Sequence, residues 1–114
     1  MEIPQAARAA VYQRDGMRCQ ACGIFVSMGW KSVQHIKARG VGGGNELSNL
    51  VLLCGSATST GCHRKCEDRD PEMNARGFWL ASWESPKPIH TWDGRVIYFD
   101  DEGCWSFSAP DAQM

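Results

Sequence analysis

Six cysteines in a chain of 114 residues constrain this sequence more than any other feature, because four of them fall into two pairs, Cys19 with Cys22 and Cys54 with Cys62. A Cys-x2-Cys pair holds two sulfurs close enough for one tetrahedral zinc, and Gly23 permits the tight turn that follows. The second pair is split by GSATSTG, longer than the roughly two to four residues typical of a zinc knuckle. It therefore reads as a small-residue loop rather than a tight turn. Cys19, Cys22, Cys54 and Cys62 are expected to share one structural Zn2+. Cys66 is a candidate substitute ligand, and Cys104 is expected to be a spare core thiol. A dithiol redox centre is the alternative reading of the Cys-x2-Cys pair.

The length predicts one domain. A core of this size buries about two-thirds of the unfolded chain's surface, so a metal staple adds useful stability. The hydrophobic fraction of 43% is ordinary for a globular protein, and a net charge of −1 gives no overall pull toward nucleic acid. Any DNA contact must come from clustered basic residues. The opening run MEIPQAARAAVYQRDG has no secretory apolar stretch, and no run approaches the roughly 18 apolar residues needed to span a bilayer. A soluble, cytoplasmic protein with no membrane partner is expected, a setting in which cysteines serve a metal more readily than disulfides.

Pro4 suits the first turn of a helix, and Gln5 to Arg14 is rich in helix formers, with Ala6, Ala7, Ala10 and Val11 as its apolar stripe and Arg8 and Arg14 in solvent. Asp15-Gly16 ends that helix. Ile24 to Val26 and Trp30 to Ile36 read as strands, and Leu50 to Leu53 as a short buried strand leading into Cys54. Gly40, Gly42, Gly43 and Gly44 predict a flexible turn without helix; no GK[ST] closes it, so it is not a nucleotide P-loop. From Cys62 a helix is expected, broken at Pro71. The tail alternates aromatic and polar residues around two turns, Asp93-Gly94 and Glu102-Gly103, and predicts a β-meander. Trp79, Trp83, Trp92 and Trp105 are expected to pack rather than to stack on bases, and Asp111 to Met114 to fray.

Between the cysteine pairs, VQHIKARGVGGGNELSNLVLLCGSATSTGCHRKCE places His35 at the end of a strand-like run, Asn49 before a second apolar run, and His63 directly after Cys62. Their order and setting resemble the HNH family of metal-dependent endonucleases, whose motif is a His, an Asn and a His on a ββα-metal unit. The resemblance covers about residues 14 to 67. It implies an α+β, zinc-stapled ββα-metal core with an N-terminal helix and a C-terminal β-meander: a single nuclease domain over 1–114, its core about 14–67 and its β extension about 77–109.

By the same resemblance His35 is the general base, His63 a ligand of the catalytic metal, and Asn49 holds the loop and orients the His35 ring through a side-chain amide or backbone hydrogen bond. Many members carry His or Asp just before the base, as a second metal ligand; this chain has Gln34, a neutral and weaker donor. In a regular strand Gln34 and His35 point to opposite faces, so Gln34 reaches the metal only where the strand twists or ends. Glu67, four residues after His63 on one helix face, either supplies the missing charge or pairs with Arg64 or Lys65. The catalytic ion is left open among Mg2+, Mn2+, Zn2+ and Ni2+. Lys31, Lys37 and Arg39 flank the base and Arg64 and Lys65 begin the metal helix, so these cations are candidate DNA-phosphate contacts.

The function implied is hydrolysis of DNA phosphodiester bonds, nicking or cutting to 5′-phosphate and 3′-hydroxyl ends, by a monomer or weak dimer. Small HNH proteins of this kind are often phage-encoded and assist genome packaging beside a terminase, which would place the protein in the host cytoplasm. The competing reading is a catalytically weak, zinc-stabilised module that binds DNA or protein.

Overall fold

The computed structural model describes residues 3–26, 31–56 and 60–108. Pro4 caps helix α1 (Gln5–Arg14), which buries Val11 against the core with Ala7 and Tyr12 beside it, while Ala6 faces outward. A hairpin follows: β1 (Lys31–His35) runs antiparallel to β2 (Leu50–Cys54), in a register that pairs Lys31 with Cys54 and His35 with Leu50. All five residues of β2 are buried, which is why its sequence is a continuous apolar run without alternation. Helix α2 (Gly61–Glu67) packs on β2, and α3 (Pro71–Ala75) begins at Pro71 with the Asp70 carboxylate accepting the Glu72 and Met73 N–H groups. The tail is the expected meander, β3 (Ile89–His90), β4 (Val96–Phe99) and β5 (Trp105–Ser106), in that spatial order. It is fastened to the cysteine turn by the Trp92 N–H donating to Gln20 O at 3.1 Å and the Arg76 guanidinium to Ala21 O at 2.7 Å.

A two-stranded sheet leaves the outer edge of β2 without a ladder, and buried backbone groups must still find partners. Arg14 and Asp15 supply them. The Arg14 guanidinium donates to Leu50 O at 2.6 Å and to Leu47 O at 2.9 Å, and the Asp15 carboxylate accepts the Leu52 N–H at 3.0 Å. The Gln20 N–H completes the edge by donating to Leu52 O at 3.0 Å. Arg14 is therefore not solvated as its helix position suggests. It forms a 2.8 Å ion pair with Asp15 in which both side chains are 1% exposed, and its guanidinium lies 3.4 Å from the centre of the Phe99 ring.

Several expectations are corrected. Ile24 to Val26 makes one bridge, Arg18 to Phe25, and no strand, because the chain is turning around the cysteines; Ile24 and Phe25 are exposed. The glycine segment contains a single 3₁₀ turn over Arg39–Val41, for which one Val41 N–H to Ala38 O bond suffices. Cys104 is exposed rather than a core thiol, since the Asp100 carboxylate accepts the Glu102 and Cys104 N–H groups and holds that turn at the surface. Among the tryptophans Trp79 packs on the core, Trp92 and Trp105 flank Arg95, and Trp83 is 84% exposed. Trp30, residues 57–59 of the cysteine loop and Asp111 to Met114 lie outside the described residues.

Arg14→Ala strands the Asp15 carboxylate in the core and opens the edge of β2. A loss of about 3–5 kcal/mol is expected in urea unfolding, and a loss below about 1 kcal/mol would contradict the edge role.

Candidate metal centre and active site

Glycines at both ends of the loop bring the second cysteine pair together. Gly55 (φ 83) and Gly61 (φ 90) adopt left-handed backbone, and a Cβ on either would meet Thr60 O or Cys54 O at 1.8 and 2.7 Å. Only bare backbone fits there. Cys54 at the end of β2 and Cys62 in the first turn of α2 thus converge on Cys19 and Cys22, and the four sulfurs lie within 4.8 Å of one another.

The donor set fits zinc. Tetrahedral Zn–S bonds of about 2.3 Å place sulfurs about 3.8 Å apart, and Cys22 Sγ lies 3.8 Å from Cys54 Sγ. A hydrogen bond from the Cys62 thiol holds Cys19 down at about 5, while that same bond and burial push Cys62 far up, and burial pushes Cys54 up to about 11. One thiolate is comfortable here and four are not, unless a cation neutralises them. A redox dithiol needs only two sulfurs. Cys66 is not in the cluster: it is buried on α2 with its thiol toward Phe78 O at 3.8 Å, and burial pushes it up to about 12.

The two histidines border one groove of about 480 Å³, together with Gln34 and Glu67. Among the described residues each ring has one nitrogen engaged. Ser32 Oγ donates its only proton to Gly55 O at 2.5 Å, so at 2.8 Å it accepts from the His63 Nδ1–H, which leaves Nε2 with a lone pair. His35 Nε2 donates to Asn45 Oδ1 at 2.8 Å, which leaves Nδ1 as the basic nitrogen. Burial lowers the His63 pKa below the ordinary histidine range, opposed by Glu67 and assisted by His35, so the ring is neutral at pH 7. Asn49 makes no hydrogen bond to the His35 ring. Its amide locks the loop instead, accepting the Lys37 N–H at 2.8 Å and donating to Lys37 O at 3.1 Å and Gly44 O at 2.9 Å.

Residues 19–69 match the family model described as HNH endonuclease. This segment is an HNH domain. Strands β1 and β2 and helix α2 are its ββα unit, with the four-cysteine cluster at the end of the hairpin opposite His35. Neither a curated protein nor a solved structure matches the chain.

The cations at the groove of the HNH domain are Arg8, Arg39 and Arg69. Of the expected phosphate contacts only Arg39 borders it. Lys37 Nζ donates to Ser82 O and Glu84 O, Arg64 pairs with Asp68 at 3.1 Å, Lys31 lies over the Tyr12 ring, and Lys65 is exposed on α2 away from the groove lining. The Glu67 carboxylate borders the groove near enough to His63 to favour its charged form. Gln34, 5% exposed, borders the groove beside His35 because β1 ends there. Arg8 and Arg69 were missed because the chain brings them in from α1 and from the turn after α2. Arg69 holds φ 60, a left-handed backbone that costs a non-glycine residue roughly 1–2 kcal/mol, and strain of this kind collects at functional sites. Asn45 and Ser32 carried no signal in the sequence beyond their being polar neighbours of the motif.

Cys19→Ser, or chelation of the bound metal, releases the knuckle from β2 and α2. The expected loss is several kcal/mol, on the order of the whole stability of a small domain, read as a collapse of the thermal transition; an unchanged melting temperature would refute a structural metal.

Proposed function

We propose that this protein is a metal-dependent endonuclease that hydrolyses DNA phosphodiester bonds to 5′-phosphate and 3′-hydroxyl ends. The observation that carries the reading is the pair of histidines at one groove with opposite ring nitrogens left open, His35 Nδ1 and His63 Nε2. His35 is the general base. Its Nδ1 takes a proton from a water as the water oxygen attacks phosphorus, the P–O3′ bond breaks, and the leaving 3′-oxygen is protonated by solvent. Asn45 holds the ring so that Nδ1 rather than Nε2 faces the water.

His63 would hold a divalent ion through Nε2, with Gln34 and Glu67 as further oxygen donors and the rest of the shell left to water and phosphate. Bound there, the ion supplies positive charge on the phosphoryl and leaving oxygens. Ser32 keeps the His63 ring in the tautomer a ligand needs. Arg8, Arg39 and Arg69 lie where they would hold the flanking phosphates, contacts that give affinity without sequence preference. The four-cysteine site is closed and structural; the His63 site stays open. With one such site the protein nicks one strand per encounter.

Two measurements test this. Supercoiled plasmid incubated with Mg2+, Mn2+, Zn2+ or Ni2+ in turn should be nicked by the parent protein and at least about 100-fold more slowly by His35→Ala, with zinc content and melting temperature unchanged in the variant. Retained cleavage removes His35 from its role. Absence of cleavage by the parent with every ion, in protein that holds zinc and binds DNA, replaces the nuclease with the binding module. Ser32→Ala should weaken binding of the second ion by about 10- to 100-fold in calorimetry while the structural zinc remains; equal affinity would show that Ser32 does not orient His63.

A further inference from the structure

The described tryptophans are not alike in their surroundings. Trp79 donates its indole N–H to Asp70 O and packs on the core, and Trp92 and Trp105 share the Arg95 guanidinium. Trp83 is 84% exposed, with no ring or cation against it among the described residues. Tryptophan is highly buried on average, so an indole held almost wholly in water asks for a reason.

The backbone beneath it is fixed. Ala81 to Glu84 forms a turn closed by the Glu84 N–H donating to Ala81 O at 3.0 Å and the Ala81 N–H donating to Glu84 Oε1 at 2.7 Å. Asn74 Nδ2 donates to the same carboxylate oxygen at 2.8 Å, and Lys87 Nζ pairs with the other at 3.1 Å. Lys37 Nζ braces the turn from the opposite side through Ser82 O and Glu84 O at 3.3 and 2.9 Å. The Ala81 N–H, Asn74 and Lys87 hold the Glu84 carboxyl at about 2, so the brace is present at neutral pH and is lost only as pH falls through that value.

Its position relative to the groove is also fixed. Ala81 and Ser82 form part of the wall of the groove that holds His35 and His63. The Leu80 N–H donates to Ile36 O at 2.9 Å, and Lys37 lies two residues after His35, so the turn is tied to the strand end that carries the proposed base. A phosphodiester strand lying in the groove at His35 would run along Ala81 and Ser82, the two residues before Trp83.

The geometry points to Trp83 as a stacking platform for an unpaired base of the strand in the groove, so that the protein favours DNA whose bases are already unstacked over fully paired duplex. This rests on the nuclease reading above. In a duplex each base is covered by its neighbours and must leave the stack before a side chain can cover its face. A single strand offers its bases freely, and an indole accepts any of the four because each has a π-face.

The test uses zinc-loaded protein in a His35→Ala background, so that DNA is bound and not cut, with one labelled oligonucleotide offered single-stranded and as its duplex. Trp83→Ala should weaken single-strand binding by about 10-fold, within the range seen when a stacking aromatic is removed, and change duplex binding little, while Trp83→Phe keeps most of the affinity. With 2-aminopurine in the strand, fluorescence should fall on binding and the fall should be lost in Trp83→Ala. Equal single-strand affinity of Trp83→Ala and its parent, or equal losses on both DNAs, overturns the platform and leaves the nuclease reading intact. Failure of the parent to bind either DNA overturns both.

Discussion

Four thiols brought within 4.8 Å of one another are the constraint on which the rest of this structure depends. They come from the turn after α1, from the last residue of β2 and from the first turn of α2, so one cation held by all four would join the three elements of the core. Without it only Cys19 is held as a thiolate, while burial and the hydrogen bond between Cys62 and Cys19 keep Cys54 and Cys62 protonated. With it, the entropy of closing the long segment between the cysteine pairs is offset by binding energy. His63 follows Cys62 directly, so an ion that held the start of α2 would also decide where the second histidine sits.

The hairpin needs a second device, since β2 is buried on both faces and has only one partner strand among the described residues. Arg14 and Asp15 close its free edge with side-chain donors and acceptors in place of a third strand. Burying a charge pair is costly, and burial pushes the Asp15 carboxyl above its ordinary value against the opposing Arg14 and Leu52 hydrogen bonds, but each charge satisfies a backbone group that would otherwise be orphaned. Phe99 lies beneath the Arg14 guanidinium, so this pair also links the meander to the helix and strand.

The candidate active site spans the same hairpin, with His35 at the end away from the cysteines and His63 beside Ser32 near the cysteine end. Its two histidines are hydrogen-bonded by residues outside the motif, Asn45 and Ser32, and the positive charge at its groove comes from three separate elements. Lys37 shows how position in sequence can mislead. It lies two residues from His35, yet its ammonium stabilises the turn that displays Trp83. The same lysine thus joins the strand that carries the proposed base to the rim of the groove.

Much of this was legible in the chain by itself. Cysteine spacing determined the metal cluster, because sulfur chemistry and short loops leave few other uses for that pattern, and the His-Asn-His order led to the HNH domain. The hairpin, the helix break at Pro71 and the Asp93-Gly94 turn follow from local backbone preferences that need no tertiary context. What only the tertiary structure decided concerns long polar and aromatic side chains. Helix position puts Arg14 in solvent, and it is buried; composition puts Cys104 and Trp83 inside, and they are exposed. The choice of Asn45 over Asn49 as the partner of the His35 ring is of the same kind. Arginine, lysine, asparagine and tryptophan reach several ångströms from their backbone, and their partners are set by which strand edge or loop carbonyl the fold brings within that reach. No spacing along the chain encodes that distance.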